Sequence, residues 1–214
     1  MLTNNIIQER VNKHQVIRNI DPCSLFQHDI NNVIDIIIPE CFQSIKSDKI
    51  KEHNYPWTSN GKLNNFHNLP KFDKVIQHIT NNFHLPIEIR HVERINPSYK
   101  YYLTIPHDKN FDLIYMPIPT RFIESKYYYK IILHELAHAA CDKARLNLQL
   151  TEQKEELTAE LSALIVSFLT GYNVWYSCLS YVKNWYDTDL PIIDQINDST
   201  KQIVKYFLLG INGL

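Results

Sequence analysis

The sequence predicts an α+β fold, and three observations predict it. Helix-spaced apolar residues dominate both ends of the 214-residue chain. Between them, residues 87–117 switch to strand-like patterns. Directly afterwards comes KIILHELAHAA, residues 130–140, where His134, Glu135 and His138 interrupt a run that is otherwise apolar behind one lysine. The order of helices, a small sheet, then two adjacent helices argues against alternating βαβ units.

Residues 1–20 are predicted as a helix that ends before Asp21-Pro22. Residues 26–52 give one or two helical segments, with IDIIIP a buried piece that Pro39 interrupts. Asn, Pro and Gly crowd residues 53–70, which marks a loop and a boundary. The chain therefore divides into a mostly helical N-terminal region, 1–68, and a second region, 69–214, that carries the histidines. Phe72, Val75, Ile76 and Ile79 give helical spacing over 69–83. IEIRHVE (87–93), YKYYLTIP (99–106) and FDLIYMP (111–117) read as strands, the last two as a hairpin. Ser125 is placed to cap a helix starting at Lys126 and ending near Lys143. Thr151 is placed to cap the next one, which stops at Gly171. YVKNWYD (181–187) and residues 192–209 are predicted as further helices.

Composition narrows the function classes. A hydrophobic fraction of 44% with thirteen tyrosines supplies a packed core and excludes a disordered chain. A net charge of −1, with lysines scattered among acids, leaves no basic footprint for tight nucleic-acid binding. Cys23, Cys41, Cys141 and Cys178 form no CxxC pair, so neither a disulfide framework nor a thiolate zinc site is expected. The N-terminus has no apolar signal-like core, and the longest apolar run, Leu161 to Leu169, is too short to span a bilayer. The expectation is a soluble cytoplasmic protein without membrane contact. His53, His67, His78, His84 and His91 fall at no ligand spacing and read as surface or loop residues. Trp57, Trp175 and Trp185 read as packing residues.

The HELAH run carries the chemistry. Residues i and i+4 of an α-helix share a face, so His134 and His138 present two imidazoles to one ion, at the roughly 2.0–2.1 Å zinc–nitrogen distance. Glu135 flanks that face and reaches a water on the ion without being a ligand, which makes it the predicted general base. A lone carboxylate in so apolar a helix costs several kcal/mol or takes up a proton, and a divalent cation removes that penalty. The third ligand is sought in TEQKEELTAELSALIVSFLT. There Leu157, Leu161, Leu164, Ile165 and Phe168 form the core stripe, and Glu156 and Glu160 share the adjoining face. Glu156 is the favoured ligand and Glu160 the brace behind a histidine, with Glu160 the alternative ligand. Glu152 and Glu155 are assigned to the solvated helix N-terminus, where carboxylates favour the dipole.

FDLIYMPIPTRFIESKYYYKIILHELAHAACDKARLN followed by EELTAELSALIVSFLTGY resembles the C-terminal metallopeptidase domain of ArdC-type antirestriction proteins. The shared features are the D-x-I-x-M-P strand at Asp112, Ile114, Met116 and Pro117, the Tyr127–Tyr128 pair, His134 to His138, the loop residues Ala144, Arg145 and Leu146, and Glu155 to Leu161. The resemblance covers residues 70 to 175. It implies a zincin-like fold, with a small mixed sheet, an HExxH active-site helix and a following helix carrying the glutamate ligand, and it implies zinc. The E-x-x-x-E pair is similar to the ligand-and-brace arrangement of gluzincins. FDLIYMP then stands where zincins have an edge strand that holds an extended peptide.

The function these features predict is a zinc-dependent peptidase acting on a protein or peptide. A transition-state donor is sought among Tyr127, Tyr128, Tyr176, Tyr181 and His107, with none assigned. The alternative is a non-catalytic or antirestriction-type binding protein that retains the fold. Retention of Glu135 favours catalysis, because a structural zinc needs no base.

Overall fold

A computed structural model describes residues 28–46, 64–82, 87–93, 102–104, 112–142, 145–186, 193–209 and 211. The helix expected over residues 1–20 and the Asn-rich loop up to residue 63 lie outside them, as do Trp57 and His107. Six helices and one sheet follow in order: α1 (His28–Lys46), α2 (Pro70–Asn82), β1 (Ile87–Val92), β2 (Tyr102–Thr104), β3 (Asp112–Pro117), α3 (Ser125–Cys141), α4 (Glu152–Leu169), α5 (Trp175–Trp185) and α6 (Ile193–Leu208). No helix among the described residues is long and apolar enough to cross a membrane.

Helix α1 continues through Pro39 instead of stopping there. A mid-helix proline costs about 3 kcal/mol. Here apolar residues are buried on both sides of it: Val33, Ile34, Ile37 and Ile38 before, Cys41, Phe42 and Ile45 after. Each such side chain contributes about 1.5–3 kcal/mol on burial, enough to hold both halves in one rod. Lys201 on α6 fastens the outer face through Asp35 at 2.6 Å. The buried face of α1 belongs to the same core as α2 to α6.

The sheet has the order β1-β3-β2. β2 runs antiparallel to β3, as the hairpin pattern predicts, while β1 runs parallel to β3 from Ile87↔Asp112 to Val92↔Pro117. FDLIYMP is thus the central strand and not an edge. Its ladder with β2 covers only Asp112 to Ile114, so among the described residues Tyr115 to Pro117 pair with β1 alone. Alternation within a strand cannot reveal this, because it reports faces and not neighbours.

Helices α3 and α4 pack on each other more extensively than any other two helices described. Ala137 and Ala140 on one, and Ala159, Ala163 and Ser167 on the other, are fully buried, and their small side chains permit the close approach. An aromatic stack holds the far end, with Phe72 of α2 parallel to Tyr129 (5.1 Å) and Tyr172 (4.8 Å).

The helix ends differ in detail from the capping pattern. Helix α3 starts at Ser125, with Glu124 as the N-cap, because the Ser125 hydroxyl is engaged elsewhere and accepts the His67 amide at 2.8 Å. Thr151 does occupy the N-cap of α4, without a side-chain capping bond. Helix α3 stops at Cys141 because the chain turns back: Leu146 N–H reaches the Ala140 carbonyl and Leu148 N–H the Cys141 carbonyl. Helix α4 ends in a Schellman motif, with Gly171 N–H to Phe168 O and Tyr172 N–H to Ser167 O, both 2.9 Å. Gly171 has φ +90° and no atom near the place of a Cβ. Gly171→Ala is therefore expected to lose only the backbone term, about 1–2 kcal/mol, read as a lowered urea midpoint with unchanged slope.

Candidate metal centre

Helix α3 brings its functional face into the core. His134 is 3% exposed and Glu135 4%, values that polar side chains reach only when paired or bound. Helix α4 crosses opposite and offers Glu155, Glu156 and Glu160. Nitrogen and oxygen atoms of His134, His138 and Glu156 all lie within 4.8 Å of one another. The two Nε2 atoms are 3.1 Å apart. Glu156 places Oε2 3.5 Å from His134 Nε2 and Oε1 3.7 Å from His138 Nε2.

Both imidazoles are held from behind. Glu160 Oε2 lies 3.0 Å from His134 Nδ1, and Glu155 Oε1 lies 2.7 Å from His138 Nδ1. A carboxylate at Nδ1 keeps the proton there and leaves the Nε2 lone pair pointing inward. At 3.1 Å the two Nε2 atoms can share one proton, and a divalent ion that displaces this proton takes up both lone pairs. A divalent ion with nitrogen and oxygen preferences suits this donor set, and zinc is the ordinary choice for two imidazoles and a carboxylate.

Electrostatics points the same way. Burial opposes a charge on His138, but the hydrogen bonds of Glu155 and Glu156 and the charges of Glu135 and Glu156 outweigh it and lift its pKa to about 9. The site is a well of negative potential that draws cations. Glu160 is fully buried, which would raise its pKa, yet the Lys130 ammonium and the His134 hydrogen bond overcome burial and hold it below the usual carboxylate range. Lys130 stands one turn before His134, is 1% exposed and pairs with Glu160 Oε1.

Three roles escaped the sequence reading. Glu155 faces His138 and not only solvent. The signal was available: two ligating imidazoles need two Nδ1 acceptors, and Glu160 provides one. Lys130 is a core residue, and a lysine inside an apolar helix demands a counter-ion. Tyr181, one of five donor candidates, donates to Glu156 Oε2 at 2.6 Å. Of the others, Tyr128 is bonded to His91 Nε2 at 2.8 Å and Tyr176 is exposed.

No curated protein and no solved structure matches the chain significantly. Residues 88–190, from β1 to just beyond α5 and containing every side chain of this cluster, match the model of the MPTase-PolyVal family and are thereby similar to a zincin-like metallopeptidase.

Proposed function

We propose that this protein is a zinc-dependent metallopeptidase of gluzincin type, cleaving a protein or peptide. The observation that carries the reading is the convergence of His134, His138 and Glu156, with each imidazole anchored through Nδ1. His134 Nε2, His138 Nε2 and a Glu156 oxygen would hold the ion, with Glu160 and Glu155 as braces. Bound zinc supplies polarisation of the scissile carbonyl and acidification of water. Glu135 takes the proton of the attacking water and passes it to the leaving amine. Its burial beside His138 keeps that transfer away from bulk solvent. The relationship to the ArdC-type domain belongs to this reading. It is supported by FDLIYMP, the tyrosine pair, HELAH and EELTAEL following in that order. Tight nucleic-acid binding is not part of it, given the net charge of −1.

The test is metal content coupled to hydrolysis. Purified protein should carry about one zinc, as three converging protein donors require, and chelation should abolish peptide cleavage until zinc is restored. Protein that stays metal-free in excess zinc would remove the reading. Competitive chelator titration should also rank two variants, with Glu156→Ala losing more affinity than Glu160→Ala. The loss of a brace is expected to cost about 10–100-fold. The reverse ranking would exchange the two roles.

A further inference from the structure

Glu156 is gripped from outside the histidine pair by a third helix. Tyr181 on α5 donates its hydroxyl hydrogen to Glu156 Oε2 at 2.6 Å. One turn later on the same helix, the Trp185 indole hydrogen-bonds the same hydroxyl. An indole N–H can only donate. The phenol oxygen therefore accepts from Trp185, and its single hydrogen is committed to Glu156. The ring is fixed as well: it lies edge-on to His134, centroids 5.3 Å apart, with the Lys130 ammonium 5.5 Å from its centroid. Burial, then the bond to Glu156, raises the phenol pKa, so Tyr181 stays a neutral donor.

The two oxygens of Glu156 are consequently unequal. Each oxygen lies near one imidazole, Oε2 3.5 Å from His134 Nε2 and Oε1 3.7 Å from His138 Nε2, but Oε2 also takes the short Tyr181 hydrogen bond. A carboxylate with both oxygens free can bind an ion through both, and a catalytic zinc must keep one position open. Resting on the zinc reading above, we propose that Tyr181 is a positioning residue that restricts Glu156 to one-oxygen ligation through Oε1 and so preserves the open position. Tyr181 then governs coordination number more than metal capture, and it does so without touching the ion or the substrate.

Cobalt substitution reads this directly, because four-coordinate Co(II) absorbs visible light far more strongly than five- or six-coordinate Co(II). Wild type and Tyr181→Phe are each titrated with Co(II) alone. Both should bind one equivalent, and the variant's visible absorption should be several-fold weaker per bound cobalt. Should Tyr181→Phe not fold, Trp185→Phe, which keeps the phenol but removes the donor that orients its oxygen, is expected to shift the spectrum in the same direction by a smaller amount. An unchanged spectrum in a folded variant overturns the proposal. An unchanged spectrum combined with a fall in kcat overturns it too, and assigns the phenol to the substrate instead. The zinc reading is judged separately by His134→Ala. A wild-type cobalt spectrum in that variant rejects the site itself, whatever Tyr181 does.

Discussion

Glu135→Gln is expected to fold, retain its metal and lose about 10²–10⁴-fold in turnover, the usual contribution of a general base. Three features argue for so clean a separation. The residues whose donor atoms converge are His134, His138 and Glu156, so the amide replaces no ligand. Glutamine matches glutamate in volume, which matters at a position only 4% exposed. The change also removes one negative charge from the surroundings of His138, which lowers that imidazole's hold on a proton and does not weaken it as a ligand. Peptide cleavage and zinc content, measured on the same preparation, check the result. Equal cleavage by variant and wild type would exclude Glu135 as the base. Loss of zinc would make it a ligand.

Lys130→Met carries the largest expected effect on stability. Lys130 and Glu160 are both essentially inaccessible to water and paired with each other. Deleting one partner of a buried pair leaves an uncompensated charge and costs about 3–5 kcal/mol. For a protein with ordinary marginal stability, that is a large share of the total. The damage is transmitted to the proposed metal site as well, because Glu160 is the acceptor that aligns His134. Lys130→Met/Glu160→Gln removes the stranded charge and keeps an acceptor for Nδ1, so the double variant should recover much of the loss. Denaturant melts of the two single variants and the double variant give the coupling. Strict additivity would show that the two residues do not act as a pair.

The parts of the molecule that could be read from its sequence are those fixed by local period. The spacing of Phe72, Val75, Ile76 and Ile79 is sufficient to define α2, and all four are buried. The i, i+4 relation aligns His134 with His138 before any tertiary contact is known. Glycine at the end of α4 announces the left-handed residue that the Schellman motif requires. What could not be read depends on which elements become neighbours. The parallel pairing of β1 with β3 links segments about twenty-five residues apart and leaves no trace in either alternation. Glu155 belongs to the solvated end of its own helix by every local rule, and only the crossing of α3 over α4 turns it towards His138. Pro39 shows the converse, a strong local rule overridden by burial on both sides.

Helix α3 is buried along most of its length, from Tyr128 to Cys141, with few interruptions. Nearly every side chain next to HELAH therefore performs two duties, filling the interior and shaping the His134, His138 and Glu156 cluster. Such a helix has little room to vary. Substituting there would exchange one defect for another, since a change of volume by one methylene is already felt in a close-packed interior. Positions freer to vary lie where packing is looser: at Tyr115, Pro117 and Ile118, and at half-exposed Tyr127 beside the start of the helix, but not at buried Met116. For the proposed peptidase, a combinatorial library confined to those positions is the economical route to redirecting cleavage, while the two central helices are left untouched as its chassis.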